Sequence, residues 1–84
     1  MKNTVGIGMI GYKFMGKAHT NAYRKAGYFF DPPVKARLRV VCGRDIAKVS
    51  RFAERWGWEK AVGDWRQVID DPEVQIVDIC SPNN

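Results

Sequence analysis

The sequence predicts an α/β domain: a doubly wound parallel sheet with its strands in the order 3-2-1-4. Three observations predict it. Apolar strand-like runs alternate with helix-like stretches in the order β-α-β-α-β-α-β along the 84 residues. That alternation folds as a parallel sheet with helices on both faces. The first apolar run breaks at Gly11 and has become a helix by Gly16. The fourth run, V-Q-I-V-D-I-C, leads into Ser81-Pro82-Asn83 at what would be the carboxyl end of the sheet.

The opening run, Thr4 to Ile10, supplies the first strand. G-x-G-x-x-G fits Gly6, Gly8 and Gly11 by pattern alone. That register leaves only Lys2 to Val5 for the strand and exposes Met9 and Ile10 in the turn. The register Gly11-x-Lys13-x-x-Gly16 keeps the order strand, turn, helix that a phosphate-holding corner requires. Gly6 and Gly8 then lie inside the strand, where a missing side chain lets something pack closely. A helix starts near Phe14, with Met15, Ala18, Ala22 and Ala26 on one small-residue face toward the sheet. Gly27 ends it. Tyr28 to Pro33 is a loop at the far edge from the glycine turn, suited to packing or a subunit contact.

Leu38 to Cys42 reads as a second strand buried on both faces. Asp45 caps the next helix, which turns Ile46, Val49, Phe52, Ala53 and Trp56 to the core and stops at Gly57. A short third strand covers Lys60 to Val62. Asp64 and Gln67 resemble a capping box for a helix of one or two turns, closed by Asp71-Pro72. Val74 to Cys80 is the fourth strand. With the second and fourth strands flanking the first, Cys42 and Cys80 stand roughly 9–10 Å apart. A disulfide needs Cα atoms within about 7 Å, so both are expected as free thiols.

The chain is short against the usual domain of about 100–150 residues, but 45% hydrophobic content suffices for a small core. Fourteen lysines and arginines exceed nine acids, for a formal charge of +5. They are scattered, and no nucleic-acid recognition motif accompanies them. No signal peptide or membrane-length apolar run is evident. These features and the buried-looking cysteines suggest a cytoplasmic protein. His19 is the only histidine, and no Cys/His cluster has metal-ligand spacing.

The runs I-G-M-I-G-Y-K-F-M-G-K-A-H, R-V-V-C-G-R-D and D-W-R-Q-V-I-D-D-P-E-V-Q-I-V-D-I-C-S-P-N resemble the N-terminal domain of the Gfo/Idh/MocA oxidoreductases. These are the glucose–fructose oxidoreductase and inositol dehydrogenase relatives. The resemblance covers essentially the whole chain. It implies a Rossmann domain of an NAD- or NADP-dependent dehydrogenase acting on a sugar, inositol or related polyol, with the full-length protein expected as a homo-oligomer. It also implies residue roles. Gly11 and Gly16 match the first and third glycines of the phosphate turn, for the tight turn and the helix–strand contact. The backbone N–H groups of Phe14 and Met15 match those that face the pyrophosphate. Lys13 stands in place of the second glycine; its ammonium either meets a phosphate, reaches toward the substrate side or points to solvent. His19 matches a family histidine one turn into the helix and is expected to pack and hydrogen-bond rather than catalyse.

The end of the second strand bears on the cofactor. NAD sites place an acid there, whereas NADP sites remove it and offer an arginine. Gly43 stands where the acid is expected and Arg44 follows, which leans the choice toward NADP. Asp45 can serve as the acid or simply cap its helix, and Arg44 can stack on adenine. Ser81, Pro82 and Asn83 match the family's T/S-P-N and are expected to line the ribose and nicotinamide side. The family's E-K-P lysine and its substrate domain are not in these 84 residues. The chain is therefore expected to be the N-terminal part of a longer dehydrogenase, inactive alone. A non-catalytic nucleotide-sensing module and a methyltransferase share the fold as alternatives; the second also wants an acid that Gly43-Arg44 does not supply.

Overall fold

The structure, a computed structural model, describes residues 4–12, 14–26 and 34–80. For Phe14, Met15 and Ala26 it describes the backbone. The readings of Lys13, of Gly27 as a helix stop, of the Tyr28 to Pro33 loop and of Ser81, Pro82 and Asn83 lie outside the described residues.

The elements run β1 (Thr4–Ile10), α1 (Phe14–Ala26), β2 (Lys35–Cys42), α2 (Ile46–Trp56), β3 (Lys60–Val62), α3 (Arg66–Ile69) and β4 (Ile76–Ile79). The four strands form one sheet in the order β3-β2-β1-β4, and every pairing is parallel. The doubly wound Rossmann-type arrangement is thus present. Among the described residues no helix is long and apolar enough to cross a membrane.

β1 shows why the sheet closes on both sides. Ile7 and Met9 point into a core with Val41, Val49, Phe52, Ala53, Trp58 and Cys80. Gly6 and Gly8 alternate with them and face the other side. A Cβ on Gly8 would lie 2.5 Å from a methyl of Val68 on α3, and one on Gly6 would run into the carbonyl oxygen of Glu73. The missing side chains let α3 and the segment before β4 lie directly on the strand. Val40, Cys42, Val62 and Val68 form the small core there.

Several boundaries and faces differ from the sequence reading. β2 begins at Lys35 rather than Leu38, because Thr4, Val5 and Gly6 pair with Lys35, Ala36 and Arg37. β4 begins at Ile76 rather than Val74; the Gln75 side chain, instead of a strand carbonyl, accepts from the Gly6 N–H at 2.6 Å. Its burial alternates, with Val77 and Ile79 exposed. Ile46, expected in the core, is 52% exposed as the first residue of α2. Ala18 and Ala22 are exposed, and α1 instead turns Gly16, Thr20, His19 and Tyr23 inward. Among the described side chains His19, Thr20 and Tyr23 carry polar groups inward, so apolar periodicity selected the wrong face at Ala18 and Ala22. Trp58 is buried just after the Gly57 cap, its indole N–H donating to Thr20. Its backbone N–H folds back onto the Ala53 carbonyl.

α2 follows the sequence closely. Asp45 accepts from the Lys48 N–H, and Gly57 ends the helix in the left-handed region at φ 84°. Asp64 accepts from the Arg66 N–H at 2.9 Å ahead of α3. Cys42 and Cys80 are both buried and free.

An ion-pair network fixes the amino-terminal edge of the sheet. Arg37 grips Glu59 through two hydrogen bonds and also reaches Glu73, while Arg39 donates to Asp71 at 3.0 Å. Asp71 is buried and also accepts from the Glu73 N–H at 2.8 Å. That N–H and then Arg39 hold its carboxyl below the usual carboxylate range, against the opposing effect of burial. A depressed folded pKa adds stability above the unfolded value and loses it as pH falls through the folded one. Asp71→Ala is therefore expected to cost about 2 kcal/mol at neutral pH, the scale of hydrogen bonds to a charged group. The gap from wild type should narrow as pH falls below about 4. Thermal melts across that range check it; an equal gap at every pH contradicts it.

Candidate functional site

The site is built at the carboxyl end of β1, where the strand must reverse into α1. Gly11 takes φ 94°, a conformation open to glycine and strained for other residues. Its N–H donates to the Cys42 carbonyl at 2.8 Å, which pins the turn to the end of β2. Gly16 sits in the first turn of α1. A Cβ there would press to 3.2 Å on both the Gly11 carbonyl and the Met9 side chain. Glycine at 11 shapes the turn, and glycine at 16 lets the helix start against the strand. The first N–H groups of α1 have no partners within the helix, and the helix dipole makes its start attractive to an anion. The geometry therefore suits the pyrophosphate of a dinucleotide.

The end of β2 supplies the neighbouring wall. Gly43 is buried and donates its N–H to the Val62 carbonyl at 3.1 Å. A Cβ on it would run into the ring of Tyr12 and lie 3.0 Å from Val49. Tyr12 in turn packs on Phe52 with ring centroids 5.3 Å apart. Gly43 thus has a packing cause, independent of any phosphate on the ribose. Arg44 and Asp45 are exposed beside it, and one carboxylate oxygen of Asp45 is used as the α2 cap. The structure brings Gly11, Gly16, Gly43, Arg44 and Asp45 to the carboxyl ends of adjacent strands, with the backbone of Phe14 and Met15 at the helix start.

His19 packs and hydrogen-bonds as expected, but sequence reasoning missed the polar cluster under α1 to which it belongs. Asp78 of β4 accepts from the Tyr23 hydroxyl at 2.7 Å and lies 2.7 Å from Nδ1 of His19. An ionised carboxylate only accepts, so His19 carries its proton on Nδ1. Cys80 donates to the other Asp78 oxygen at 3.5 Å and sits 3.3 Å from the same His19 nitrogen. Burial works to raise the Asp78 pKa, but the bonds from Tyr23, His19 and Cys80 outweigh it and hold the carboxyl below its usual range. Burial, then the Asp78 charge, pushes the Cys80 thiol up to about 12. Burial and the bond to Asp78 also raise Tyr23. Donor atoms of His19, Asp78 and Cys80 lie within 4.8 Å of one another. The direct His19–Asp78 contact and the protonated thiol make this a hydrogen-bond network. An acid inside the apolar run V-Q-I-V-D-I-C was the available signal.

Residues 5–84 match the Gfo/Idh/MocA family, an oxidoreductase family with an NAD-binding Rossmann fold. The chain belongs to this family. Levoglucosan dehydrogenase from Pseudarthrobacter phenanthrenivorans is 40% identical over 81 residues, which are 95% of this chain and 21% of that protein. The NAD-binding oxidoreductase from Klebsiella pneumoniae superposes with a TM-score of 0.88 at 44% identity, covering 98% of this chain and 22% of its own. A levoglucosan dehydrogenase solved with NADH superposes at 0.86 and 37% identity, covering 95% of this chain and 22% of its own. The lean toward NADP finds no support here: that relative carries NADH, and Tyr12 accounts for Gly43.

Proposed function

We propose that this chain is the NAD-binding portion of a longer dehydrogenase, which moves hydride between a nicotinamide cofactor and a CH–OH group of a sugar or polyol. The observation that carries the reading is the Gly11 turn, at φ 94° and closed against Gly16, at the start of α1. The similarity to levoglucosan dehydrogenases solved with NADH and levoglucosan, or with NADH and L-sorbose, supports the substrate class. The chain spans about a fifth of those relatives, so the groups that act on the substrate are assigned to the remainder.

In this reading Gly11 and Gly16 admit the pyrophosphate, and the N–H groups of Phe14 and Met15 donate to it. Lys13 adds a positive charge at the same corner. Gly43, Arg44 and Asp45 border the adenosine, with Arg44 stacking on adenine rather than meeting a 2′-phosphate. Ser81, Pro82 and Asn83 border the nicotinamide ribose. The bound nicotinamide supplies the hydride acceptor; this chain's own work is to bind and orient it. Calorimetric titration of the full-length protein with NADH and NADPH tests the reading. NADH is expected to bind at least about tenfold tighter, a difference of about 1.4 kcal/mol. Tighter binding of NADPH contradicts the cofactor assignment, and binding of neither contradicts the function.

A further inference from the structure

We propose that Asp78 is a positioning residue for the dinucleotide site: through His19 and Tyr23 it sets how α1 sits against the sheet, and so sets cofactor affinity. The inference rests on the dinucleotide reading above.

Among the described side chains of α1, few face the sheet. Lys17, Ala18, Asn21, Ala22, Arg24 and Lys25 are exposed. The inward positions are Gly16, His19, Thr20 and Tyr23. Gly16 has no side chain, and Thr20 contacts Trp58 and Met9. The remaining two, four residues apart and so on one helix face, both end on the Asp78 carboxylate. A carboxylate with only 14% of its side chain exposed is costly unless it is well bonded. Here its bonds span two elements rather than closing within one.

Those elements are the ones that frame the site. α1 carries the helix start beside Gly11. β4 runs beside β1, with Met9 opposite Asp78, and Cys80 donates its N–H to the Ile10 carbonyl at 2.7 Å. Ile10 immediately precedes Gly11. One carboxylate therefore fixes the helix to β4, the strand paired with the one that leads into the turn. Loosening it leaves the turn's glycines intact and lets the helix N-terminus drift from the anion it must meet. Positioning of this kind is sensitive to small displacements.

The test uses the full-length protein and NADH, with Kd read by NADH fluorescence well below each variant's Tm. Asp78→Ala is expected to raise the Kd about tenfold, within the range of mutations that modulate coupling between sites. Asp78→Asn, which keeps an acceptor for Tyr23, and Tyr23→Phe should each raise it by a smaller factor. Both keep the side-chain volume and carry the test should Asp78→Ala not fold. Val68→Ala, in the core on the opposite sheet face, is the control: it should lower the Tm while leaving the Kd unchanged. A folded Asp78 variant that binds NADH as wild type does overturns the proposal. So does an equal loss of affinity in Val68→Ala, because that is the signature of a structural role alone. Failure of the wild type itself to bind NADH refutes the dinucleotide reading and this proposal with it.

Discussion

Gly6→Ala is expected to destabilise the domain by about 3 kcal/mol or more, the upper end for overpacking a tight site. The added methyl would be driven into the Glu73 carbonyl oxygen, with the Glu73 carbonyl carbon 3.0 Å away. Both are backbone, so no rotamer change relieves the clash. Moving them also breaks a reciprocal pair: Gly6 N–H to the Gln75 side chain, and Gln75 N–H to the Gly6 carbonyl at 2.9 Å. That pair is where β4 begins to follow β1, so the loss should spread along the strand. Gly57→Ala is the informative comparison. Gly57 has φ 84° and nothing within 4 Å of a new Cβ, so only the conformational cost of about 1–2 kcal/mol applies. Urea unfolding of the full-length protein should show a larger fall in midpoint for Gly6→Ala than for Gly57→Ala. Equal effects would remove the close-packing account of β1.

The glycines inside β1 show what the sequence could carry. The strand-turn-helix order decided that Gly6 and Gly8 belong inside β1, the alternation of strands and helices decided the parallel sheet, and the dinucleotide-binding turn supplied its order. These are local or topological facts. The inner face of α1 was not legible, because it is chosen by partners distant in sequence. His19 and Tyr23 turn inward for a carboxylate 59 and 55 residues away, while Ala18 and Ala22, which fit the apolar pattern, stay outside. Trp58 was missed for a related reason: the Gly57 turn swings it back under Thr20, where periodicity does not reach. Gly43 is the most instructive case. Its identity invited a reading about cofactor phosphate, yet the nearest cause is an aromatic ring from residue 12.

That cause makes a prediction opposite to the usual rule. Installing the acid that NAD sites place after the second strand, by Gly43→Asp, is expected to weaken NADH binding here rather than improve it. The new Cβ lies 2.7 Å from one Tyr12 ring carbon, nearer still to another, and 3.0 Å from Val49. Val49 is buried in α2 and cannot yield cheaply, so the Tyr12 ring must move off Phe52. Tyr12 directly follows Gly11, and displacing it pulls on the turn that holds the pyrophosphate. The expected cost is about 1–3 kcal/mol of stability and about a tenfold rise in the NADH Kd. Adding Tyr12→Ala should recover part of both losses, because residues in contact couple by about 0.5–3 kcal/mol. Calorimetric titration and urea unfolding of the two single variants and the double variant read this coupling. Tighter NADH binding by Gly43→Asp at unchanged stability would mean that Tyr12 leaves room for the acid after all. In that event Gly43 would again call for an explanation in the cofactor itself.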